Sequence, residues 1–359
     1  MNVKIELTHH ISNWDKLLEK YRGSLFLSTS WLESIKSKDK VPVYFLFKMK
    51  DQILGLIAGL ERPVGKGPEK QLFFFSGIAI FSNNAELLKA CKRELMKYAK
   101  ENSFYRVIIK SYDCTKYTPA YVKGFVPFER EEFVIDLTVE KEKIINNVAK
   151  RYRRYIKKAI KKGAEFGFSN SEKHLDTLFY LMGFTQEKRI SKGYENYNML
   201  TMPLMSPEDI KKLLKNQTAT LYYIKFNGNI VSIQLVLTAV KRAYGVYMGT
   251  HPDGYKISAP SVLYHLIALK YKDGGYFSYN LGGIPLGAKN KGLKRIKSFM
   301  GASSVKSKEE TTDFLLPPLS GLNKYLILKR KLSGFPLPWR IKKLILRMID
   351  HIIKGRDKY

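Results

Sequence analysis

The sequence feature that most constrains the fold is a basic segment in the middle of the chain, residues 150–162, which reads K-R-Y-R-R-Y-I-K-K-A-I-K-K. Eight of its 13 residues are basic and none is acidic. This much fixed charge must face water, phosphates or an anionic surface, because burying unpaired charge is prohibitive. Apolar residues recur at three- and four-residue spacing from Ile144 to Ile160, which predicts one amphipathic helix that Gly163 ends.

The positive charge of the chain is concentrated in its C-terminal part. The net charge is +31 over 359 residues, and residues 136–359 carry +24 of it, from 41 Lys and Arg against 17 Asp and Glu. A partner with many phosphates, such as RNA, a nucleotide-linked substrate or an acidic membrane, is the simplest reason to tolerate this self-repulsion. A lysine bias arising from a high-salt habitat or an AT-rich genome is the competing explanation.

Composition also bounds the compartment. The apolar fraction of 45% and the aromatic fraction of 13% exclude wholesale disorder. Cys91 and Cys114 are too few for a disulfide framework or a zinc cluster, which favours a reducing cytoplasm and predicts no metal. The first thirty residues contain no apolar signal region, and the longest apolar runs are about half the length that a bilayer requires. We expect a cytoplasmic monomer that contacts the inner face of the cell membrane peripherally.

Two parts of the chain repeat one order of predicted elements: helices, strand hairpins, a central helix and a closing strand. In the first part, helices are predicted at 14–21, 30–35 and 85–101, and strands at 43–49, 53–60, 71–80, 106–111 and 133–137. In the second, helices are predicted at 175–187, 207–214 and from residue 260, strands at 219–226, 230–240, 243–250 and 276–281, and a loop at 251–258. This order predicts an α/β (α+β) protein with an internal duplication, with domains at 1–137 and 138–316.

Residues 317–359 form a separate basic tail. Apolar residues from Leu337 to Ile352 fall on one helical stripe beside several cations. This pattern is typical of an interfacial helix on an anionic leaflet, and it fits a terminal helix docked on its own protein equally well.

A glycine-rich basic segment, residues 279–301, is the second distinctive stretch. Gly282 and Gly283 leave backbone amides accessible to a ligand, while Lys294 and Lys297 are among five nearby cations. We predict a loop here, and a loop of this kind suits the binding of a phosphate or an oxyanion, although the glycine pair also fits a simple bend between a strand and a loop. The familiar hydrolase, P-loop, zinc-protease and dinucleotide-binding signatures do not occur in the sequence.

Several motifs occur in an order that resembles one family. They are W-x4-K at Trp31–Lys36, T-x-x-x-R at Thr185–Arg189 followed by Tyr194 and Tyr197, the basic run Arg154–Gly163, the stretch Tyr244–Thr250, and Y-N-L-G-G followed by I-K-S-F-M-G at 279–301. In this order the chain resembles the FemABX-type aminoacyltransferases that build the interpeptide bridges of peptidoglycan. The resemblance covers about residues 10–305, and it implies tandem acetyltransferase-like (GNAT) domains with mixed, largely antiparallel sheets.

The resemblance implies an enzyme that moves an aminoacyl group from aminoacyl-tRNA to an amine of a cell-wall peptide, carried on a nucleotide- or lipid-linked precursor, without a cofactor. Lys297 matches the lysine of the family's F-K-x-x-F-G motif, where Ile296 replaces the first phenylalanine, and its ammonium would stabilise the oxyanion of acyl transfer. The residues expected at the acceptor's diphosphate are Lys36, Arg189 and Tyr197. Those expected at the donor are Arg151, Arg154, Lys157, Lys158, Gly282, Gly283 and Lys294.

Two alternative functions remain open. The first is an N-acyltransferase that uses acyl-CoA as cosubstrate on a cell-surface sugar or lipid precursor. Against it, the loop after Thr250 lacks the pyrophosphate-binding signature of acyl-CoA enzymes, and most of the C-terminal charge would have no role. The second is a non-catalytic protein that binds RNA or membranes on a degenerate tandem fold.

Overall fold

The structure is a computed structural model that describes residues 2–9, 11–65, 67–80, 84–114, 118–191, 205–284 and 291–334. Within these ranges the chain forms 11 helices and 13 strands. The helices are α1 (Trp14–Lys20), α2 (Thr29–Ser34), α3 (Ala85–Glu101), α4 (Lys141–Asn147), α5 (Lys150–Lys161), α6 (Glu172–Ile190), α7 (Pro207–Lys215), α8 (Pro252–Lys256), α9 (Ala259–Asp273), α10 (Lys291–Phe299) and α11 (Asn323–Gly334). The strands are β1 (Lys4–Leu7), β2 (Val41–Met49), β3 (Gln52–Pro63), β4 (Lys70–Phe74), β5 (Ala79–Ile80), β6 (Phe104–Ile109), β7 (Phe125–Asp136), β8 (Glu165–Ser169), β9 (Ala219–Phe226), β10 (Asn229–Ala239), β11 (Arg242–Thr250), β12 (Ser278–Ile284) and β13 (Ser303–Thr312).

The strands belong to one mixed sheet in the order β1-β2-β3-β4-β6-β13-β7-β12-β11-β10-β9-β8, with β5 paired to β3. Two neighbouring pairs, β4 with β6 and β11 with β12, are parallel, and the other pairs are antiparallel. Each parallel pair is joined by a crossover that contains a long helix, α3 in the first half and α9 in the second. The predicted duplication and the largely antiparallel sheet are therefore confirmed.

Helices cover both faces of the sheet in the second half, which explains its nearly continuous apolar strands. Along β9, Leu221 belongs to the core that includes α6, whereas its neighbour Tyr222 belongs to the core that includes α9 and α5. On α5, Ile156 and Ala159 are buried in this second core. The cations of α5 consequently lie on its solvent side.

Strand β13 joins the two halves into one sheet. It pairs with β7 over ten residues and with β6 at Glu310 and Thr311, so a strand from the C-terminal half lies between two strands of the N-terminal half. A buried ion pair between Lys92 on α3 and Glu310 fixes the same junction. Because the sheet runs through the predicted boundary after residue 137, the limits 1–137, 138–316 and 317–359 stay a prediction.

Four predictions about local structure are wrong. The single helix predicted from Ile144 is two helices, because the backbone is extended at Val148 and Ala149 between α4 and α5. The strand predicted at 71–80 is divided into β4 and β5, and the loop predicted at 251–258 contains α8. The glycine-rich segment 279–301 contains β12 and α10, and is not one loop.

The interfacial helix predicted around 337–352 lies outside the described residues.

Candidate active site

The parallel strands β11 and β12 separate after a short paired stretch, and the place where they separate is called the cleft below. The strands pair at three positions, from Arg242–Ser278 to Tyr244–Asn280, and no further along their described lengths. The register of β12 with β7 shifts between Asn280 and Gly283, and Gly282 takes a φ of +78° at this bulge. In open α/β sheets, ligands bind outside the carboxyl ends of parallel strands, which is where this separation lies.

Lys297 closes the base of this cleft from α10. Its Nζ donates to the carbonyl oxygens of Gly282 at 2.8 Å and Gly283 at 3.0 Å, and the residue is only 4% exposed. A Cβ added at Gly282 would lie 3.1 Å from the carbonyl oxygen of Gly245 on β11 and 3.8 Å from Nζ of Lys297. The backbones of the two strands and the lysine are therefore in close contact at one point.

Burial lowers the pKa of Lys297 to about 7, because the ammonium loses its water; the charge of Glu132 opposes this shift and that of Arg130 adds to it. An ammonium has three donors, and two of them serve the glycine carbonyls. The third can point to a bound oxyanion. Near neutral pH the same amine is also poised to exchange a proton.

Glu132, on β7, organises the wall of the cleft. Its fully buried carboxylate accepts hydrogen bonds from Tyr244 Oη at 2.7 Å, Asn280 Nδ2 at 2.8 Å and Arg130 Nη2 at 2.7 Å. The Asn280 side chain also connects Glu132 to the bulge, because its Oδ1 accepts a hydrogen bond from the backbone amide of Gly282 at 2.8 Å. Burial, with the nearby Glu132 charge, raises the pKa of Tyr244 well above its ordinary value, so the phenol stays protonated and donates.

A second buried pair ties the N-terminal half to β11. Arg242 donates from Nε to Asp113 Oδ2 at 2.6 Å and from Nη2 to Oδ1 at 2.8 Å. Asp113 also accepts from the amide of Leu25, and its own amide donates to Glu132 at 2.8 Å. The loop that holds Asp113 thus connects the wall of the cleft to the first half.

The predicted donor residues fall into two groups. Gly282 and Gly283 meet Lys297, although the Gly282 amide, predicted to be accessible to a ligand, is bonded to Asn280 within the protein. Lys294, one turn before Lys297, pairs with Glu131 of β7 at 2.7 Å. The four predicted cations of α5, namely Arg151, Arg154, Lys157 and Lys158, are all exposed.

Helix α5 begins beside α10. The amide of Ala149 donates to the carbonyl oxygen of Phe299 at 2.9 Å, and the rings of Tyr152 and Phe299 lie 5.5 Å apart. The basic helix therefore begins in contact with Phe299, which follows Lys297 by two residues in the sequence.

The predicted acceptor residues are placed less completely. Lys36 follows α2 with its side chain 57% exposed and pairs with Glu33 at 3.2 Å. Helix α6 contains Arg189, but its side chain and the whole of Tyr197 lie outside the described residues. Near Lys36, the ammonium of Lys212 on α7 donates to its carbonyl oxygen at 3.5 Å, which adds a second cation to this surface.

Sequence reasoning did not identify the buried polar residues Asp113, Arg130, Glu132 and Arg242. No pattern distinguishes Glu132 from its neighbours in E-R-E-E, since all of them read as surface charge. Asn280 lay within the Y-N-L-G-G motif, but it carried no assigned role.

Comparisons with known proteins agree with this architecture. Residues 146–290 match the family model described as an acetyltransferase (GNAT) domain. Among solved structures, the chain is similar to FemX, with a TM-score of 0.67 and 16% sequence identity over 90% of this chain and 99% of FemX. A conserved protein of unknown function from Bacteroides thetaiotaomicron VPI-5482 has a TM-score of 0.48 and 12% identity, covering 87% of this chain and 100% of that protein. L-PGS from Bacillus licheniformis has a TM-score of 0.46 and 17% identity, covering 83% and 91%. The sequence has no significant match among curated proteins.

The fold is that of tandem GNAT domains, and the match of residues 146–290 to an acetyltransferase domain supports the acyltransferase class. The likeness to the fold of FemX extends over both halves of the chain. This confirms the resemblance predicted from the motifs at the level of the fold. Among the described residues, none of the helices has the length and apolar character needed to span a membrane.

Proposed function

We propose that the protein is an aminoacyltransferase that uses aminoacyl-tRNA to acylate an amine of a cell-wall peptide precursor. The observation that carries this proposal is the position of Lys297, whose buried Nζ lies at the point where β11 and β12 separate. Among the described residues, those that bond to the Lys297 ammonium and to the Gly282 amide are Gly282, Gly283 and Asn280, with no Ser or Cys among them, which suits direct attack of an external amine on an activated acyl group.

In this reaction the acceptor amine attacks the ester carbonyl of the donor. The new C–N bond forms as the C–O bond to the tRNA 3′ end breaks, and the amine proton passes to the released hydroxyl. Charge develops on the carbonyl oxygen, and the ammonium of Lys297 stabilises it. Glu132, Asn280 and the bulge at Gly282 hold that ammonium in place.

The charge of α5 supports tRNA as the donor. The helix starts beside the cleft and carries its cations on the solvent side, as a polyanion would require. Such cations gain affinity through the release of counterions from the nucleic acid. The acceptor's diphosphate is assigned to Lys36, Arg189 and Tyr197, of which Lys36 has a described, exposed side chain.

The second candidate function is acyl transfer from acyl-CoA, and the match of residues 146–290 to the GNAT acetyltransferase domain favours it. Ribonuclease treatment separates the candidates, because it abolishes transfer from charged tRNA and leaves transfer from acyl-CoA intact. Thermal stabilisation by acetyl-CoA but not by charged tRNA would reverse the preference.

The catalytic assignment is tested with Lys297→Ala. Turnover should fall by about 10²- to 10³-fold, the usual loss for one oxyanion donor, while the melting transition persists. Lys97→Ala, which removes an exposed lysine of α3, is the control and should retain full turnover. Normal turnover of Lys297→Ala would refute the role of the lysine.

The donor assignment is tested by reversing Arg154 and Lys158 to Glu. Donor affinity should weaken, and its dependence on salt should flatten, because about two phosphate contacts are lost. Reversal of Lys97 and Lys100, two exposed lysines of α3, changes the net charge equally and should leave both quantities near their native values. If the two double variants behave alike, the effect belongs to net charge and α5 is not the donor surface.

A further inference from the structure

A shallow groove with aromatic walls lies at the far end of the basic helix from the cleft. It has a volume of about 880 Å³ and lies between strand β8 and the C-terminal half of α9. Its lining includes Phe168, Tyr223, Lys270, Lys141 and Asp273. Phe168 has 59% of its surface exposed, so its ring is accessible to a ligand.

The groove combines flat rings with positive charge. Lys270 Nζ lies 4.3 Å from the centroid of the Phe168 ring. The acidic residue in the groove, Asp273, is neutralised by Lys141 at 2.8 Å. The groove therefore offers a stacking surface beside a cation.

Helix α5 connects this groove to the cleft. Its first turn contacts α10 through Tyr152 and Phe299, and its last residue lies four positions before the start of β8. Its 12 residues span ~18 Å at 1.5 Å per residue. A nucleic acid strand advances about 3.4 Å per nucleotide, so about five nucleotides cover that distance.

We propose that the groove binds a base of a single-stranded RNA segment whose phosphates follow α5. Phe168 supplies the stacking surface, and Lys270 pairs with a neighbouring phosphate. Strand β8 is at the end of the sheet order, so the backbone groups of its outer edge can bond to the sugar or phosphate. This assignment rests on the proposed function, in which RNA delivers the acyl group, and it adds a site outside the catalytic cleft.

The chemistry of the surface favours RNA over a lipid leaflet. Aromatic side chains interleaved with lysines along a basic track are typical of single-strand binding, because every base has a face that can stack. A membrane-binding helix instead presents a row of apolar residues below its cations. On α5 that row is buried in the core, and Ile160 is its exposed apolar residue.

The test measures binding of the full chain to a fluorescent, non-aminoacylated RNA of about ten nucleotides without secondary structure. Phe168→Ala should weaken binding by about 5- to 100-fold, the range expected for one stacked base, and should leave the salt dependence unchanged because no phosphate contact is lost. Phe168→Trp, which keeps an aromatic ring at this position, should retain the native affinity. The control is Tyr180→Ala, which removes an equally exposed ring, 66% exposed, on α6 at the other face of the sheet.

The outcomes distinguish this proposal from the proposed function. If Phe168→Ala and the native chain bind RNA with equal affinity, the proposal that the groove binds RNA is overturned, whether or not the protein transfers aminoacyl groups. Loss of binding to phosphatidylglycerol vesicles in Phe168→Ala, with RNA binding intact, overturns it in favour of a membrane contact. If RNA binding depends on Phe168 but the protein does not use aminoacyl-tRNA as a donor, the groove proposal is supported and the proposed function is refuted.

Discussion

Replacement of Lys297 by Met should change the pH dependence of folding stability in a way that the site geometry fixes. Methionine has nearly the same length and no charge, so it fills the same space at the base of the cleft. It removes the two hydrogen bonds to Gly282 and Gly283, which shifts stability by an amount that does not vary with pH. The part that varies with pH reports the buried amine alone.

The magnitude follows from the pKa of Lys297, lowered from an ordinary 10.5 to about 7 by burial. At 1.36 kcal/mol per pH unit, keeping the charged amine buried costs ~5 kcal/mol. Below pH 7 the folded and unfolded chains are both protonated, and this cost is fully present. Between pH 7 and about 10.5 the unfolded chain holds one proton more, so native stability rises by about 1.4 kcal/mol per pH unit from this group.

The assay is urea denaturation of the native chain and of Lys297→Met between about pH 5 and 9.5. The difference in unfolding free energy between the two proteins should be constant below about pH 6, one unit under the pKa of the buried amine. Above about pH 7, that difference should move in favour of the native chain by about 1.4 kcal/mol per pH unit. Lys294→Met, on the same helix, is the control, and because it keeps Lys297 it should show the native pH dependence. Parallel curves for the native chain and Lys297→Met would refute the buried, pKa-shifted lysine.

Three further substitutions test two contacts near the cleft and the cap of α7. Asp113→Ala leaves Arg242 buried without its partner and should lower the unfolding free energy by about 3–5 kcal/mol in urea denaturation; the double variant with Arg242→Met should recover part of that loss. Gly282→Ala places a Cβ 3.1 Å from the Gly245 carbonyl oxygen at a φ of +78° and should lower turnover by at least tenfold without loss of the folded state by circular dichroism. Ser206→Ala removes the capping box of α7 and should lower the free energy of unfolding in urea denaturation by about 1 kcal/mol, with turnover unchanged.

The elements that the sequence predicted are those with strong local signals. Helix α3 has the predicted bounds because Asn84 caps it, with its side chain accepting from Leu87 at 3.0 Å, and apolar residues recur along one face. The hairpin of β9 and β10 follows from Asn227-Gly228, which take the positive φ values that a tight turn requires. Neither signal depends on residues far away in the chain.

Strand β13 shows why other elements could not be predicted. Its sequence, S-S-V-K-S-K-E-E-T-T, lacks the apolar alternation of a strand, yet Ser307, Glu310 and Thr312 are buried. They are stable there because partners come from distant segments, with Ser111 bonded to Ser307 and Lys92 paired to Glu310. The position of such a strand depends on polar groups that meet only after folding.

The sequence by itself predicted the duplicated α/β order and the basic surface of α5, because periodicity, turn residues and charge density are local properties of the chain. Lys297 was singled out by the resemblance of the I-K-S-F-M-G motif to that of a known family. Only the tertiary structure decided that Lys297 is buried, and that Glu132 and Asn280 hold the bulge against which it bonds. The reason is that desolvation and buried hydrogen bonding depend on which segments surround a group, and here those segments come from β7, β11, β12 and α10.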